Sequence, residues 1–327
     1  MRSRPFLLIA AATVLAAFVF TVAYHWGGQA NGPRAERKKV AVIFKMTDNS
    51  FWLSVADGVT TAAKDFDLDV TIDAPRDETM INAQIAMLRA AIAAKPAAII
   101  LAASDYRLLV PSAHEAKERG IPLVCVDSFI ESEDADVKIG TDNVEAGKRC
   151  GEAIVRLLPP GSQVAIMSYV KGSSTAMGRE EGAISVLKDS MSLLGTLYSG
   201  SESSTAFLQA KALLMQHPHL GGIAALNQPT VEGAARALVA LGLEGKVALI
   251  GVDNSFEILK DVERGVIHDT IVQKPFTMGY LAVKAARDLI DGKHPPRYIN
   301  TGSVDVTRHN MFQPENQKLL FPVTGGS

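Results

Sequence analysis

Two cysteines, Cys125 and Cys150, are too few to staple a chain of 327 residues, so a disulfide scaffold is excluded. Cys125 lies inside an apolar run, where cysteine is commonly buried without a partner. Two buried free thiols are expected ahead of one disulfide. Aromatic residues are scarce, at 6%, so each one beside a polar cluster carries weight. Neither sign of charge dominates: 33 basic residues stand against 35 acidic ones, and the formal net charge is −2. A nucleic-acid partner would show as a basic stripe, and there is none. Also missing are a G-x-S-x-G nucleophile elbow, a complete phosphate loop and a G-x-G-x-x-G dinucleotide turn. Ala146-Gly147-Lys148 carries only a fragment of a phosphate loop. His217 and His219, the one close histidine pair, flank Pro218 in a stretch that reads as surface loop. No metal-ligand set, cofactor motif, internal repeat or low-complexity segment emerges.

What is present begins with an apolar stretch. Arg2 and Arg4 precede residues 6–24, which hold no charge at all. A basic start followed by an apolar core is the pattern of a secretory signal, and Gly28-Gln29-Ala30 offers small residues for cleavage. A spanning helix needs about 20 residues, so the run also suits an uncleaved membrane anchor. No cysteine follows closely to take a lipid. On either reading the rest of the chain lies outside the cytoplasm.

From residue 39 onward, short apolar runs alternate with helical patterns. Strands are expected over 40–44, 70–72, 98–102, 123–126, 164–168, 194–198, 223–226, 247–252 and 270–272. They are continuously apolar, as parallel strands buried on both faces are. Between them lie helical stripes such as Val55, Val59 and Ala62–Ala63, or Ile81, Ile85, Leu88 and Ile92. Repeated βαβ predicts an α/β fold with parallel sheets and right-handed crossovers. The strands are too many for one small sheet, and the series restarts after Gly140-Thr141-Asp142. Two doubly wound domains are expected. A single (β/α)8 barrel alternates in the same way over about 250 residues, so length leaves it open.

Open parallel sheets bind ligands at the carboxyl ends of their strands. The first strand is followed by Lys45, Asp48, Asn49, Phe51 and Trp52. Later strands are followed by Asp127-Ser128, by a Gly/Ser loop ending in Arg179, by Asn227-Gln228, by Asp253-Asn254 and by Gln273-Lys274-Pro275. Loop termini are polar in general; the signal is their recurrence at equivalent places. Carboxylates accept, arginine donates a planar fork, and amides do both. Together they match the vicinal hydroxyls of a sugar or polyol. Phe51 and Trp52 can cover the C–H face of a sugar ring. Adjacent helical positions diverge, so one of the two is expected to be a plain core residue at a helix start.

Taken in order, these residues resemble a known family, the periplasmic sugar-binding proteins of the ribose-binding type, type I receptors that feed ABC importers. The resemblance covers residues 39–323. Asn49-Ser50-Phe51-Trp52 stands for the family's Asn-Pro-Phe-Phe, Asp127 for its sugar-binding Asp, and Thr141-Asp142-Asn143 for its hinge Ser-Asp-Asn. Gly172-Ser173-Ser174 with Arg179 and Gly182, then Asn227, Gly251-Val252-Asp253 and Val272-Gln273-Lys274-Pro275 match its later motifs. Lys45 is similar to the lysine of allose-type receptors. The resemblance implies two doubly wound parallel-sheet lobes on a three-segment hinge, residues 39–141 plus 274–300 and 142–273 plus 301–323, behind a signal peptide or membrane anchor over 1–30. It implies that Lys45, Asn49, Phe51, Trp52 and Asp127 from the first lobe, and Arg179, Asn227, Asp253 and the hinge residue Gln273, bind the ligand.

The implied role is capture of a monosaccharide or related polyol in the periplasm, without cofactor or catalysis, by a monomer that hands it to an ABC permease. A membrane-anchored sugar sensor acting through a chemoreceptor or kinase stays open and uses the same site. Two departures bear on the ligand. Ser128 stands where the ribose-type receptors have an arginine, and 198–202 offers no aromatic where they have one. A wider or more polar pocket is expected, with a hexose, polyol or cyclitol as suitable as ribose. Asp127 and Asp253 could pair as glycosidase carboxylates, but Arg179 beside them is expected to hold them ionised, which suits binding. A sugar-responsive repressor would need a DNA-binding headpiece where the apolar segment stands.

Overall fold

The apolar runs form strands because both of their faces find cover. In β1 (Lys38–Ile43), Val40 and Val42 enter one core while Ala41 and Ile43 meet another on the opposite face, the period of two that a pleated strand imposes. The structure is a computed structural model and describes residues 37–321; the expected export segment or anchor over 1–30 and the last residues, 322–327, lie outside the described residues.

β1 belongs to a six-stranded sheet with β2 (Leu68–Asp73), β3 (Ala98–Leu101), β4 (Leu123–Val126), β5 (Val137–Gly140) and β11 (Tyr298–Asn300), in the order β11-β5-β4-β3-β1-β2. All its pairings are parallel. Helices α1 (Ser50–Asp65) and α9 (Pro275–Ile290) cover one face, and α2 (Ile81–Ala93) and α3 (Val110–Glu118) the other. The second sheet holds β6 (Gln163–Ser168), β7 (Ser192–Tyr198), β8 (Leu220–Ala225), β9 (Ala248–Val252), β10 (Asp269–Gln273) and β12 (Ser303–Val306), ordered β12-β10-β9-β8-β6-β7. On it α4 (Asn143–Leu157) and α5 (Ser174–Leu187) pack on one side. Helices α6 (Ser203–Gln216), α7 (Gln228–Leu241) and α8 (Phe256–Glu263), with α10 (Pro314–Leu320) at the end, pack on the other. Two sheets of the same strand order rule out the single barrel.

The chain passes from the first sheet to α4 through 141–142, from β10 back to α9 through Lys274, and from β11 to β12 through 301–302. Three strands differ from the sequence-based expectation. β5, β11 and β12 are short, at 4, 3 and 4 residues, and β5 sits behind an acidic run that masks its alternation. β12 also breaks the expected parallel rule, pairing antiparallel with β10. The reason is geometric. The carboxyl ends of the strands in both lobes face one cavity, so a chain leaving β11 without turning enters the second lobe against its strands.

The α4–α5 contact sets the position of Arg179. A Cβ on Gly182 would lie 2.0 Å from the Val144 carbonyl oxygen, and one on Gly147 would lie 2.0 Å from that of Arg179. Only glycine lets the helices meet so closely, which is the use of Gly147 in place of any phosphate loop. Cys125 on β4 and Cys150 on α4 are both buried and free. Among the described residues no helix is long and apolar enough to cross a membrane.

Candidate functional site

Most of the candidate side chains stand just beyond the end of a strand, while Arg179 projects from within α5. Beyond β1 the buried Lys45 sets its Nζ 3.2 Å from Asp127 Oδ2 and 3.7 Å from Glu78 Oε2. Burial alone would lower the Lys45 pKa; Glu78, Asp127 and Tyr169 outweigh it and raise the group above its ordinary value. Asn49 then caps α1, its Oδ1 accepting the Trp52 N–H at 2.9 Å. Phe51 and Trp52 are both buried and both face the cavity, so neither is a plain core residue alone. Their rings meet edge to face at 5.2 Å. Trp52 also rests on Phe44, and its Nε1 donates to Glu78 Oε1 at 3.4 Å.

The two aspartates share one local device. Asp127 follows β4 with φ +62 and Asp253 follows β9 with φ +80, left-handed conformations uncommon outside glycine. Their N–H groups donate to Ile139 O at 2.8 Å and Ile271 O at 3.0 Å, prolonging the ladder toward the neighbouring strand. The turn leaves both carboxylates at the cavity. Asp253 Oδ2 accepts from Gln228 N at 3.0 Å, and its Oδ1 accepts from Gln273 Nε2 at 2.6 Å. Arg179 on α5 reaches across the lobe, donating from Nη1 to Leu226 O at 2.7 Å and from Nε to Asn143 Oδ1 at 2.8 Å. Its Nη1 lies 4.0 Å from Asp253 Oδ2. Here the sequence-based expectation needs correcting. Burial raises the Asp253 pKa above the usual carboxylate range, against the pull of Arg179, Gln273 and Gln228. Desolvation, and not the arginine, has the larger effect.

All nine residues expected from the sequence line a single cavity: Lys45, Asn49, Phe51, Trp52, Asp127, Arg179, Asn227, Asp253 and Gln273. Asn227 is the least free of them. Its Oδ1 caps α7 through Thr230 N and Oγ1, and its Nδ2 donates to Ser201 at 2.7 Å. Glu78, Tyr169, Thr175, Gln228 and Pro229 complete the lining. The second lobe does bring an aromatic to the cavity, Tyr169, from outside the stretch 198–202. Tyr169 follows β6 directly, its hydroxyl donates to Thr175 Oγ1 at 2.6 Å, and its ring lies between Lys45 at 6.0 Å and Arg179 at 5.8 Å. Burial pushes its phenol up to about 12. Its place at the end of a predicted strand is the signal by which sequence alone could find it. Glu78 sits beyond β2 in a loop that carries none.

The arrangement suits a small polyhydroxylated ring. Two buried acceptors, Glu78 Oε2 and Gln273 Oε1, receive no hydrogen bond from the protein. Lys45 and Arg179 are charged donors, which form the stronger hydrogen bonds, and Phe51, Trp52 and Tyr169 supply apolar walls. No group of three or more His, Cys, Asp or Glu among the described residues is arranged to hold a metal ion.

Comparison with known proteins agrees with this geometry. A family profile described as a periplasmic binding protein domain matches residues 40–294. The D-ribose/D-allose-binding protein of Pseudomonas aeruginosa is 27% identical over 273 residues, 80% of this chain and 84% of that protein. An ABC transporter solute-binding protein of Agrobacterium vitis, solved with bound D-fucose, is 32% identical with a TM-score of 0.84, over 86% of this chain and 100% of the other. A carbohydrate transporter solute-binding protein of Agrobacterium radiobacter, solved with D-arabinose, is 26% identical with a TM-score of 0.84, over 88% and 100%. Profile, fold and site chemistry converge: the chain belongs to the periplasmic binding protein family, among the sugar-binding proteins of the ribose-binding type.

Proposed function

We propose that this protein captures one neutral monosaccharide or related polyol between its lobes in the periplasm and delivers it to an ABC importer. The observation that carries the reading is the cavity itself. Charged and amide heads from both lobes converge with three aromatic rings on one cleft, the mixture of apolar walls and few placed polar groups that small-molecule sites use. The nine site residues are assigned as ligand contacts on that basis. Ribose, allose, fucose and arabinose, which the relatives bind, are the first candidates. A ligand touching both lobes favours their closed arrangement, because only closure completes its hydrogen bonds, and a permease reads that arrangement. The carboxylates bind and do not turn the sugar over: Asp127 lies beside Lys45, and Asp253 beside Arg179 and two amide donors, in a site shaped for hydroxyls.

The test is a thermal-shift screen of the chain against pentoses, hexoses, polyols, cyclitols and nucleosides. A ligand at about 100 times its Kd stabilises by about 2.7 kcal/mol, a rise of about 5 °C for a chain of this size. The shift is expected for a sugar or polyol and is expected to vanish in Asp253→Ala. A shift with nucleosides alone would sink the assignment.

A further inference from the structure

Direct hydrogen bonds join the two lobes beside the cavity. Tyr106 N donates to Gly172 O at 2.8 Å, and Phe129 N donates to Ser174 Oγ at 2.8 Å. On the opposite seam one side chain, Gln228, takes two donors from the first lobe. Its Oε1 accepts from Ser50 Oγ at 2.9 Å and from Phe51 N at 3.3 Å. Ser50 Oγ is also 3.3 Å from Asn254 O.

Phe51 N is one of the amides at the start of α1 that have no partner within the helix. Asn49 satisfies Trp52 N, so the cap for Phe51 N comes from the other lobe. Two neighbours fix the Gln228 amide in the orientation that capping needs. Its Nε2 donates to Glu232 Oε1 at 2.9 Å, and that oxygen also accepts from Ser255 Oγ at 2.7 Å. The same residue's main-chain N–H donates to Asp253 Oδ2 at 3.0 Å. One residue therefore touches the carboxylate in the cavity with its backbone and the opposite lobe with its side chain.

We propose that Gln228 is a positioning residue that couples lobe closure to the occupied carboxylate, by supplying the missing cap of α1 only when the lobes meet. The inference rests on the proposed sugar capture. Because the side chain acts on closure and not on a chosen hydroxyl, its removal lowers the closed population and weakens every sugar by the same factor. Two interlobe hydrogen bonds of ordinary strength correspond to a loss of about tenfold.

The experiment compares the full-length wild type, Gln228→Ala, Ser50→Ala and the double variant. Titrations with D-ribose, D-allose, D-fucose and D-arabinose give the affinities. Hydrogen–deuterium exchange over residues 50–53 reads the cap directly, with and without sugar. Coupling predicts a uniform loss of about tenfold in Gln228→Ala, faster exchange at the start of α1, a smaller loss in Ser50→Ala, and less than additive losses in the double variant. A loss confined to one sugar would make Gln228 an ordinary ligand contact and overturn the proposal, as would unchanged exchange or additive losses. If the wild type binds none of the four sugars, the proposed ligand class fails, and exchange over residues 50–53 in the wild type and Gln228→Ala is then read with whichever small molecule shifts the melt, where equal exchange in the two proteins overturns the cap. Ser50→Ala probes the same seam from the other lobe should Gln228→Ala not fold.

Discussion

Asp269 gives the sharpest electrostatic prediction. It opens β10, is 3% exposed, and leaves its Oδ1 without a hydrogen bond. Its Oδ2 accepts from Arg156 Nη2 at 3.1 Å, but Arg156 is largely exposed and exposed cations stabilise weakly. Burial, then the nearby Asp305, push the carboxyl up to about 7 from an ordinary 3.8. Between those values the folded state holds a proton that the unfolded state has released, so stability falls as pH rises. The contribution is complete below about pH 4 and lost by about pH 7. Three pKa units correspond to about 4 kcal/mol; relaxation and water penetration around a buried charge reduce the expectation to about 2 kcal/mol. Asp269→Asn removes the titration. It should match the wild type at pH 4 and exceed it by about 2 kcal/mol at pH 8, a difference of about 4–8 °C in the melt. Calorimetric scans from pH 4 to 8.5 read the difference. Parallel curves for the two proteins, or a wild type that gains on the variant as pH rises, would refute the assignment of a buried, proton-holding Asp269.

Arg179→Ala strips donors from Leu226 O and Asn143 Oδ1. It should lower stability by about 1–3 kcal/mol and sugar affinity by about 100-fold; calorimetric titration with intact affinity would remove Arg179 from the site. Tyr169→Phe drops only the bond to Thr175 and should lose about 1 kcal/mol of stability while sugar affinity stays within about threefold. Tyr169→Ala should lose about tenfold, the value of the ring face, and equal affinities for the two variants would deny the ring a role. Gly172 has φ +99, and a Cβ there would lie 2.7 Å from Asp105 Oδ2. Asp105 is pinned by the amides of Arg107 and Leu108, so Gly172→Ala should cost about 1 kcal/mol in the sugar-free melt and weaken sugar binding further by opposing closure. An affinity that falls no more than the melt explains would contradict the contact at this rim.

The strands are legible where burial on both faces makes them continuously apolar, as in β3, whose four residues are all buried. They are illegible at the hinge. There β11 and β12 are half exposed edge strands, and nothing in a run of three or four residues separates a strand from a loop. The site is legible because the rule that ligands sit beyond the carboxyl ends of parallel strands points at particular residues: Lys45, Asp127 and Asp253 each follow a strand within two positions. Glu78 is not, since four residues separate it from β2 and only the fold brings it within 3.7 Å of Lys45. Tyr169 obeys the rule, but the Gly/Ser loop behind it is the louder signal and points to Arg179 instead. Asn227 shows the reverse error: its polarity is used mainly to cap α7.

The repeated strand order explains why the site has its electrostatic form. β1 and β6 hold the same place in their sheets, as do β4 and β9. Each lobe sets a cation beyond its first strand, Lys45 or Arg179, against an aspartate beyond its fourth, Asp127 or Asp253, at 3.2 and 4.0 Å. Each lobe also places an aromatic beside its cation, Trp52 at 5.6 Å from Lys45 and Tyr169 at 5.8 Å from Arg179. Closing the lobes therefore brings together two half-sites whose charges are already opposed within each half. Neither half must desolvate an unpaired ion when the cleft shuts, which would be costly. A neutral hydroxylated ring enters without adding a charge and meets oriented donors and acceptors on both sides. An anionic sugar would have to lie against Glu78, Asp127 and Asp253 together, so the same construction that eases closure on a neutral ring opposes closure on an acid.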